Sequence, residues 1–371
     1  MTSKERLMCA LGRGKADRLP VSVHQWQGYH LDTYLDGISD LDAFQRFGMD
    51  AQIQYFEEMG QFWIPDADFM KVATSDWRDE AEIIKNEPDD RVIHHTIHTP
   101  SGLLTYKTAG DRKTTWITEY LVKEEDDIEL IRKYMPVPKL DLKPIREAYD
   151  HVGDRGILRG FVWGDQASCW QHACCLADVN GLILACLERP DWVHTFLEIL
   201  LAKKLQFVES MAGAKFDLIE TGGGAGSSTV ISPSLHESFC LPYDRQLHDA
   251  LHSLGFLITY HTCGGTLGIE EMIVDNHCDV SETLAPPSVG GNQEPWEFKE
   301  KVGDRIGLIG GVDQFNVLTD GTPELIRATV HKLFETVGRE GGYICSLSDH
   351  FFETPIEKLQ VFADAARECV Y

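Results

Sequence analysis

Long uncharged stretches are missing from this chain, and no run approaches the ~18 apolar residues that a membrane span requires, which argues against insertion into a bilayer. The opening residues, MTSKERLMCALGRGKADRLP, hold no apolar segment ahead of a small-residue cleavage site. No secretory signal is expected, and the protein is expected in the cytoplasm. Positive charge is scarce as well: 34 Lys and Arg face 59 Asp and Glu, a net charge of -25 that would repel a phosphate backbone over most of the surface. That excludes nucleic acid as a natural partner. Low-complexity tracts and short solenoid repeats are absent. The ten cysteines, at positions 9, 169, 174, 175, 186, 240, 263, 278, 345 and 369, are scattered. In a long chain without a secretory signal they read as reduced thiols or metal ligands, not as a disulfide framework.

What is present is the balance of a globular protein, with 43% hydrophobic and 25% charged residues in 371, enough chain for a large core in one domain spanning residues 1–371. After about residue 150, short β-rich apolar runs alternate with longer helical patterns, as βαβ units of a parallel sheet do. Strands are predicted at 156–162, 216–220, 256–261, 279–282, 306–310 and 342–347. Helical patterns fall at 192–212, 233–254 and 322–337, the last with Thr322 as N-cap and Pro323 in the first turn. Residues 1–150 are less regular. They read as an N-terminal extension with the first elements of the fold: a helical start, a strand at 50–55 and a hairpin-like region at 92–98 and 103–108. The proline-rich stretch 135–144 reads as a connection within the domain.

Chemistry concentrates at His261-Thr-Cys-Gly-Gly265, the end of a predicted strand. Residues two apart on a strand share a face, so His261 and Cys263 point inward together if Thr259 does. An imidazole and a thiolate so placed can share a zinc ion, with Zn–N near ~2.0 Å and Zn–S near ~2.3 Å. The plain alternative is a hydrogen-bonded core histidine beside a cysteine acting as a small apolar residue. A metal site needs a further ligand, and the last strand offers Cys345, Asp349 and His350. Cys345 is the first choice because thiolate suits zinc, while Asp349 and His350 lie nearer the strand end. Glu220, before Thr221-Gly-Gly-Gly-Ala-Gly226, is a candidate ligand or acid/base, or a carboxylate capping its loop. The glycine run has neither a Gly-Lys-Ser/Thr ending nor dinucleotide-loop spacing, and reads as a mobile loop at the active site. His94, His95 and His98 read as solvated imidazoles on a surface hairpin, and Cys174 and Cys175 as packing residues.

Several blocks, in one order, make the chain resemble the uroporphyrinogen decarboxylase superfamily over nearly its whole length. They are Arg18-Leu-Pro-Val21, Phe47-Gly-Met-Asp-Ala-Gln-Ile53, Gly160-Phe161, the stretch from Ile231-Ser-Pro-Ser to Leu241-Pro-Tyr243, His261-Thr-Cys-Gly264, Gly321-Thr-Pro-Glu-Leu-Ile326 and Gly341-Gly-Tyr-Ile344. The resemblance implies a (β/α)₈ TIM barrel with an irregular N-terminal extension. It also implies a divergence. Where decarboxylases of this superfamily carry two arginines that hold porphyrinogen carboxylates, this chain has Gln25 and Tyr29, and Glu57 stands at the position of the central aspartate. A polycarboxylate substrate would meet unpaired charge there, at a cost of several kcal/mol per buried group.

The other branch of the superfamily comprises corrinoid-dependent methyltransferases, whose zinc is held by His-x-Cys at one strand end and a later Cys near the last strand. His261 and Cys263 match the pair. The later cysteine usually stands in Pro-Gly-Cys-Gly, whereas this chain has Leu347-Ser-Asp-His350 there, a departure bearing on the third ligand and on the use of coenzyme M. The function so implied is zinc-dependent transfer of a methyl group from a small methoxylated or methylated substrate to a corrinoid (cobalamin) carried by a partner protein. Glu220 and Glu57 are the candidate catalytic carboxylates, and His24, Trp26, Tyr29, Trp63 and Trp163 are candidate pocket residues that core packing would also explain. The alternatives are a decarboxylase-type lyase and a barrel that only binds a ligand. The oligomeric state, a homodimer included, stays open.

Overall fold

The computed structural model describes residues 1–55, 75–164, 168–303 and 305–371. Strand β1 (Ala51–Gln54) is followed by four strands of a separate antiparallel sheet: β2 (Arg78–Glu87), β3 (Asp90–Thr99), β4 (Gly102–Gly110) and β5 (Thr115–Glu119). Then come β6 (Gly156–Phe161), β7 (Leu218–Gly222), β8 (Ile258–His261), β9 (Val280–Thr283), β10 (Gly307–Val312) and β11 (Tyr343–Leu347). With β1 they form a curled, seven-stranded parallel sheet in the order β1-β6-β7-β8-β9-β10-β11. All six strands predicted after residue 150 are found. The edges of this sheet are joined by residues 20–22: the Cys345 N–H donates to Pro20 O (2.9 Å), the Ser22 N–H to Cys345 O (2.9 Å) and the Asp50 N–H to Val21 O (2.7 Å).

Strand register sorts the inward side chains into rows. Glu220, Thr259 and Val280 are neighbours across β7, β8 and β9, and His261, Glu282, Ile309 and Ile344 are neighbours across β8 to β11. Near the strand starts the inward residues are apolar. Ile157, Leu218, Val280, Ile309 and Ile344 pack against Leu7, Ala10 and Leu11 of the helix Ser3–Leu11, which closes that end of the sheet. Thr2 fixes that helix with a capping box to Glu5. The other end, where the strands finish, carries the chemistry. This polarity follows from burial: the apolar N-terminal helix needs an apolar socket, and polar side chains are left for the opposite mouth.

Two local readings change. The helical pattern at 233–254 is two helices, Pro233–Phe239 and Leu241–Ser253, broken at Cys240 because Pro242 has no N–H to donate and disfavours helical geometry just before it. The hairpin at 92–108 belongs to the four-stranded sheet, whose β2 alternation does not announce. Two of its three histidines are paired, His95 Nδ1 with Asp79 (2.9 Å) and His98 with Glu80 (3.0 Å), through carboxylates from the neighbouring strand. Thr322 does cap the helix Pro323–Leu333, accepting from the Leu325 N–H. None of the ten cysteines is in a disulfide. No single described helix is long and apolar enough to cross a membrane; the pair Cys169–Leu176 and Val179–Glu188 reaches that length only together, bent by 113°.

Candidate metal centre

At the mouth of the sheet, His261 ends β8, and Cys263 follows two residues on, half-buried, with the same inward parity. Asp349, just past β11, brings a carboxylate to them, and one donor atom from each of His261, Cys263 and Asp349 lies within 4.8 Å of the others. Beneath this trio is a buried charged layer. Arg159 of β6 donates through Nη2 to Glu220 (2.6 Å) and Glu282 (2.7 Å), and through Nη1 to Gln52 (3.3 Å). The Glu282 carboxylate reaches His261 Nδ1 at 3.2 Å, with Glu220 at 3.5 Å from the same nitrogen. The His24 ring is 4.8 Å from that of His261 and 5.0 Å from that of His350.

These neighbours set the protonation states. Burial and the adjacent Glu282 charge push Glu220 up to about 7. Burial opposes the charge on Glu282 too, but Arg159 and His261 outweigh it and hold that carboxyl well below its ordinary range. Burial opposes a charged His261, yet Cys263, Glu282 and Glu220 raise it. His24, with burial dominant, is held neutral. The mouth therefore gathers two carboxylates held ionised, Glu282 and Asp349, around His261.

The residues fit zinc on two further observations. His261 Nε2 is fully buried and has no hydrogen-bond partner among the described residues. Its other nitrogen faces Glu282, and a ligating histidine commonly donates its second N–H to a carboxylate, which fixes the tautomer and leaves a lone pair for metal. Imidazole, thiolate and carboxylate are also the donor types that zinc takes.

Cys345 is not brought to this centre. Ile344 stands in one row with His261 and Glu282, so Cys345, its neighbour in β11, faces the opposite side. Its thiol lies beside Tyr343 and Cys369 in an apolar layer and is pushed up to about 12 by burial, far from the thiolate a metal needs. His350 is close to the mouth, its Nδ1 2.7 Å from Gln27 Nε2, and it groups with His24 and Asp349.

Among the pocket candidates, Trp26 stacks on Phe47 (5.6 Å) and meets Phe44 and Phe351 edge-on. Trp163 is buried edge-on to His172 (5.1 Å), its backbone carbonyl accepting from Lys204. Tyr29, half-buried, donates to Glu353 (3.0 Å). Glu57 and Trp63 lie outside the described residues. The glycine run is packed: Gly222 has φ +97°, and a Cβ there would sit 2.3 Å from the His261 carbonyl. A Cβ at Gly224 would come within 2.7 Å of Cys263 Sγ. Close approach to β8 and to Cys263 accounts for Gly222 and Gly224. Sequence reasoning misses Arg159 and Glu282; a lone charge inside the apolar run 157–162 marks Arg159, whereas Glu282 sits in the polar strand Val-Ser-Glu-Thr283 and carries no such signal.

The sequence matches the uroporphyrinogen decarboxylase (URO-D) family over residues 89–369. It is 21% identical over 193 residues to a methylated-thiol–coenzyme M methyltransferase of Methanosarcina mazei, covering 52% of this chain and 49% of that protein. It is 24% identical over 148 residues to the methylcobamide:CoM methyltransferase MtbA of the same organism (39% and 41%), and 25% identical over 235 residues to a uroporphyrinogen decarboxylase of Methylococcus capsulatus (59% and 62%). The chain thus spans about half the length of the first two of these relatives. A solved structure of a methyltransferase from Methanosarcina mazei superposes with a TM-score of 0.67 over 99% of both chains at 16% identity, a likeness of fold alone.

Proposed function

Because this chain belongs to the uroporphyrinogen decarboxylase (URO-D) family, we propose that it is a zinc-dependent methyltransferase of that family, moving a methyl group from a small methoxylated or methylated compound to the cobalt of a corrinoid protein in the cytoplasm. In this reading the chain is one closed (β/α)₈ barrel, with residues 20–22 as the eighth stave. The observation that carries the reading is the trio His261, Cys263 and Asp349 at the strand ends, with a buried and unpartnered His261 Nε2. Asp349 takes the role for which Cys345 is turned the wrong way. Two curated relatives named as methyltransferases acting with coenzyme M support the reaction class.

The trio would hold the zinc, which when bound supplies a Lewis acid to the heteroatom losing its methyl group. The protein's own groups do the rest. Glu282 holds the Nδ1 proton of His261, and Arg159 keeps Glu282 ionised. Glu220, balanced near neutrality and with Oε1 3.5 Å from His261 Nδ1 but making no hydrogen bond among the described residues, can hold a proton and give it to the departing oxygen. A reduced corrinoid on a partner protein would supply the nucleophile that accepts the methyl group, and the oxygen left behind as an anion would take the proton held by Glu220.

The test is a visible spectrum. Incubated with zinc, a reduced corrinoid protein and a panel of methoxy-aromatics, methylamines and methyl thiols, the protein is expected to convert Co(I) to methyl-Co(III) with at least one donor. No methyl-cobalt from any donor would leave the ligand-binding barrel as the better reading. Decarboxylation of uroporphyrinogen is not expected, since Gln25 and Tyr29 replace the arginine clamps, and product analysis under anaerobic conditions checks this.

A further inference from the structure

Asp349 belongs to a second group of donors at the mouth, in which one ring nitrogen each from His24 and His350 and a carboxylate oxygen of Asp349 lie within 4.8 Å of one another. Two stretches of chain bring them together. His24 lies just past residues 20–22, which join the sheet edges, and Asp349 and His350 follow β11. Bonds of about 2.0–2.2 Å to an ion place donors roughly 3–4 Å apart, so less than about 1 Å of side-chain movement closes the set. The two imidazole rings are tilted by 58° with centres 5.0 Å apart, so they are not stacked face to face and their nitrogens can converge.

The surroundings are those of ligands. The His24 ring is 4% exposed and makes no hydrogen bond among the described residues, with Glu282 standing 3.8 Å from its Nδ1. The same carboxylate is 3.2 Å from His261 Nδ1, so Glu282 backs both histidines, as an outer carboxylate backs ligating imidazoles. His350 is set by another group: Gln27 Nε2 lies 2.7 Å from its Nδ1, and its Nε2 is 3.8 Å from Asp349 Oδ1. With Nε2 on a metal, Nδ1 carries the ring proton and donates to the Gln27 amide oxygen, which a half-turn of the amide supplies without displacing its atoms. The site is also reachable. The His350 and Asp349 side chains are 35% and 30% exposed, and an ion meets them from the mouth.

We infer that the mouth is a two-metal centre, in which His24, His350 and Asp349 hold a second divalent transition-metal ion and the Asp349 carboxylate bridges it to the zinc on His261 and Cys263. A carboxylate has one oxygen for each ion, and paired ions in two-metal sites stand about 3.5–4 Å apart. The His24 and His261 rings are neighbours on a similar scale, with centres 4.8 Å apart. The two sets differ in softness. Two imidazoles and one carboxylate suit zinc, iron(II) or cobalt(II), and without a thiolate they bind the weaker ion, which leaves in a mild chelator that the first ion survives. The inference builds on the zinc centre of the methyltransferase reading and deepens that same site.

Titration of the full chain with cobalt(II) tests it. The first equivalent is expected to give the intense thiolate-to-cobalt absorption of a Cys263 ligand, and the second to add only weak ligand-field bands. A chain with a net charge of -25 also collects cations on surface carboxylates, so the second readout is magnetic. Two ions sharing Asp349 couple, and the electron paramagnetic resonance signal of the two-cobalt protein is expected to fall below twice that of the one-cobalt protein. His350→Ala changes a half-buried side chain and should keep the first equivalent while binding the second at least about tenfold more weakly. Should that variant fail to fold, the coupling in the wild type still decides. A thiolate band followed by an uncoupled second ion, or by one whose affinity His350→Ala leaves unchanged, would overturn the two-metal inference and leave the methyltransferase reading standing. No thiolate band with either equivalent would overturn both.

Discussion

Zinc is expected at one equivalent per chain in the wild-type protein, and at less than about a tenth of that in His261→Ala, Cys263→Ala and Asp349→Ala after dialysis against a mild chelator. The expectation follows from ligand number. With three protein donors and an open position, losing one removes a third of the protein's coordination bonds and leaves the tetrahedral set unclosed. Even a partner one bond further out is worth 10–100-fold in affinity by order of magnitude, so Glu282→Gln should weaken zinc by about that much while retaining all three ligands. Cys345→Ser serves as the control: its side chain faces the Tyr343 and Cys369 layer, and zinc should be retained in full. Methyl transfer should follow the metal, collapsing in the three ligand variants and surviving in Cys345→Ser. Metal analysis with the Co(I) assay distinguishes the cases, and equal zinc in all variants would sink the site.

Arg159→Met is expected to destabilise the protein by about 3–5 kcal/mol, because it strands two buried carboxylates without their shared cation. Arg159 is fully buried, and so are Glu220 and Glu282, so water cannot take its place. The double variant Arg159→Met/Glu282→Gln should recover part of the loss, since Glu220 alone can take up a proton near neutrality. A coupling of about 1–3 kcal/mol between the two changes is expected from their direct contact. Urea unfolding of wild type, both single variants and the double variant measures it. Additive losses would mean that the three groups do not form one unit.

The part of this architecture legible in the sequence was the part that repeats. Apolar runs such as 256–261 and 342–347 announced strands because burial on both faces makes a parallel strand continuously hydrophobic. His261 and Cys263 were legible for a related reason: spacing of two, at a strand end, before two glycines. Softness of sulfur favours Cys345 as a third ligand, but strand alternation places Ile344, not Cys345, in the row of His261. Asp349 lies just beyond the strand, where no period applies and only the turn of the chain decides what meets what. Arg159 and Glu282 are 123 residues apart, and their contact exists only because β6 and β9 curl toward one another across the sheet. β2 carries exposed residues along nearly its whole length, so hydrophobic patterning had nothing to mark it by.

X-ray absorption at the zinc edge of the loaded wild-type protein tests the centre most directly. One sulfur near ~2.3 Å with nitrogen and oxygen near ~2.0–2.2 Å is the expected shell, corresponding to Cys263, His261, Asp349 and a solvent or substrate oxygen. Two sulfurs in that shell, or none, would contradict it.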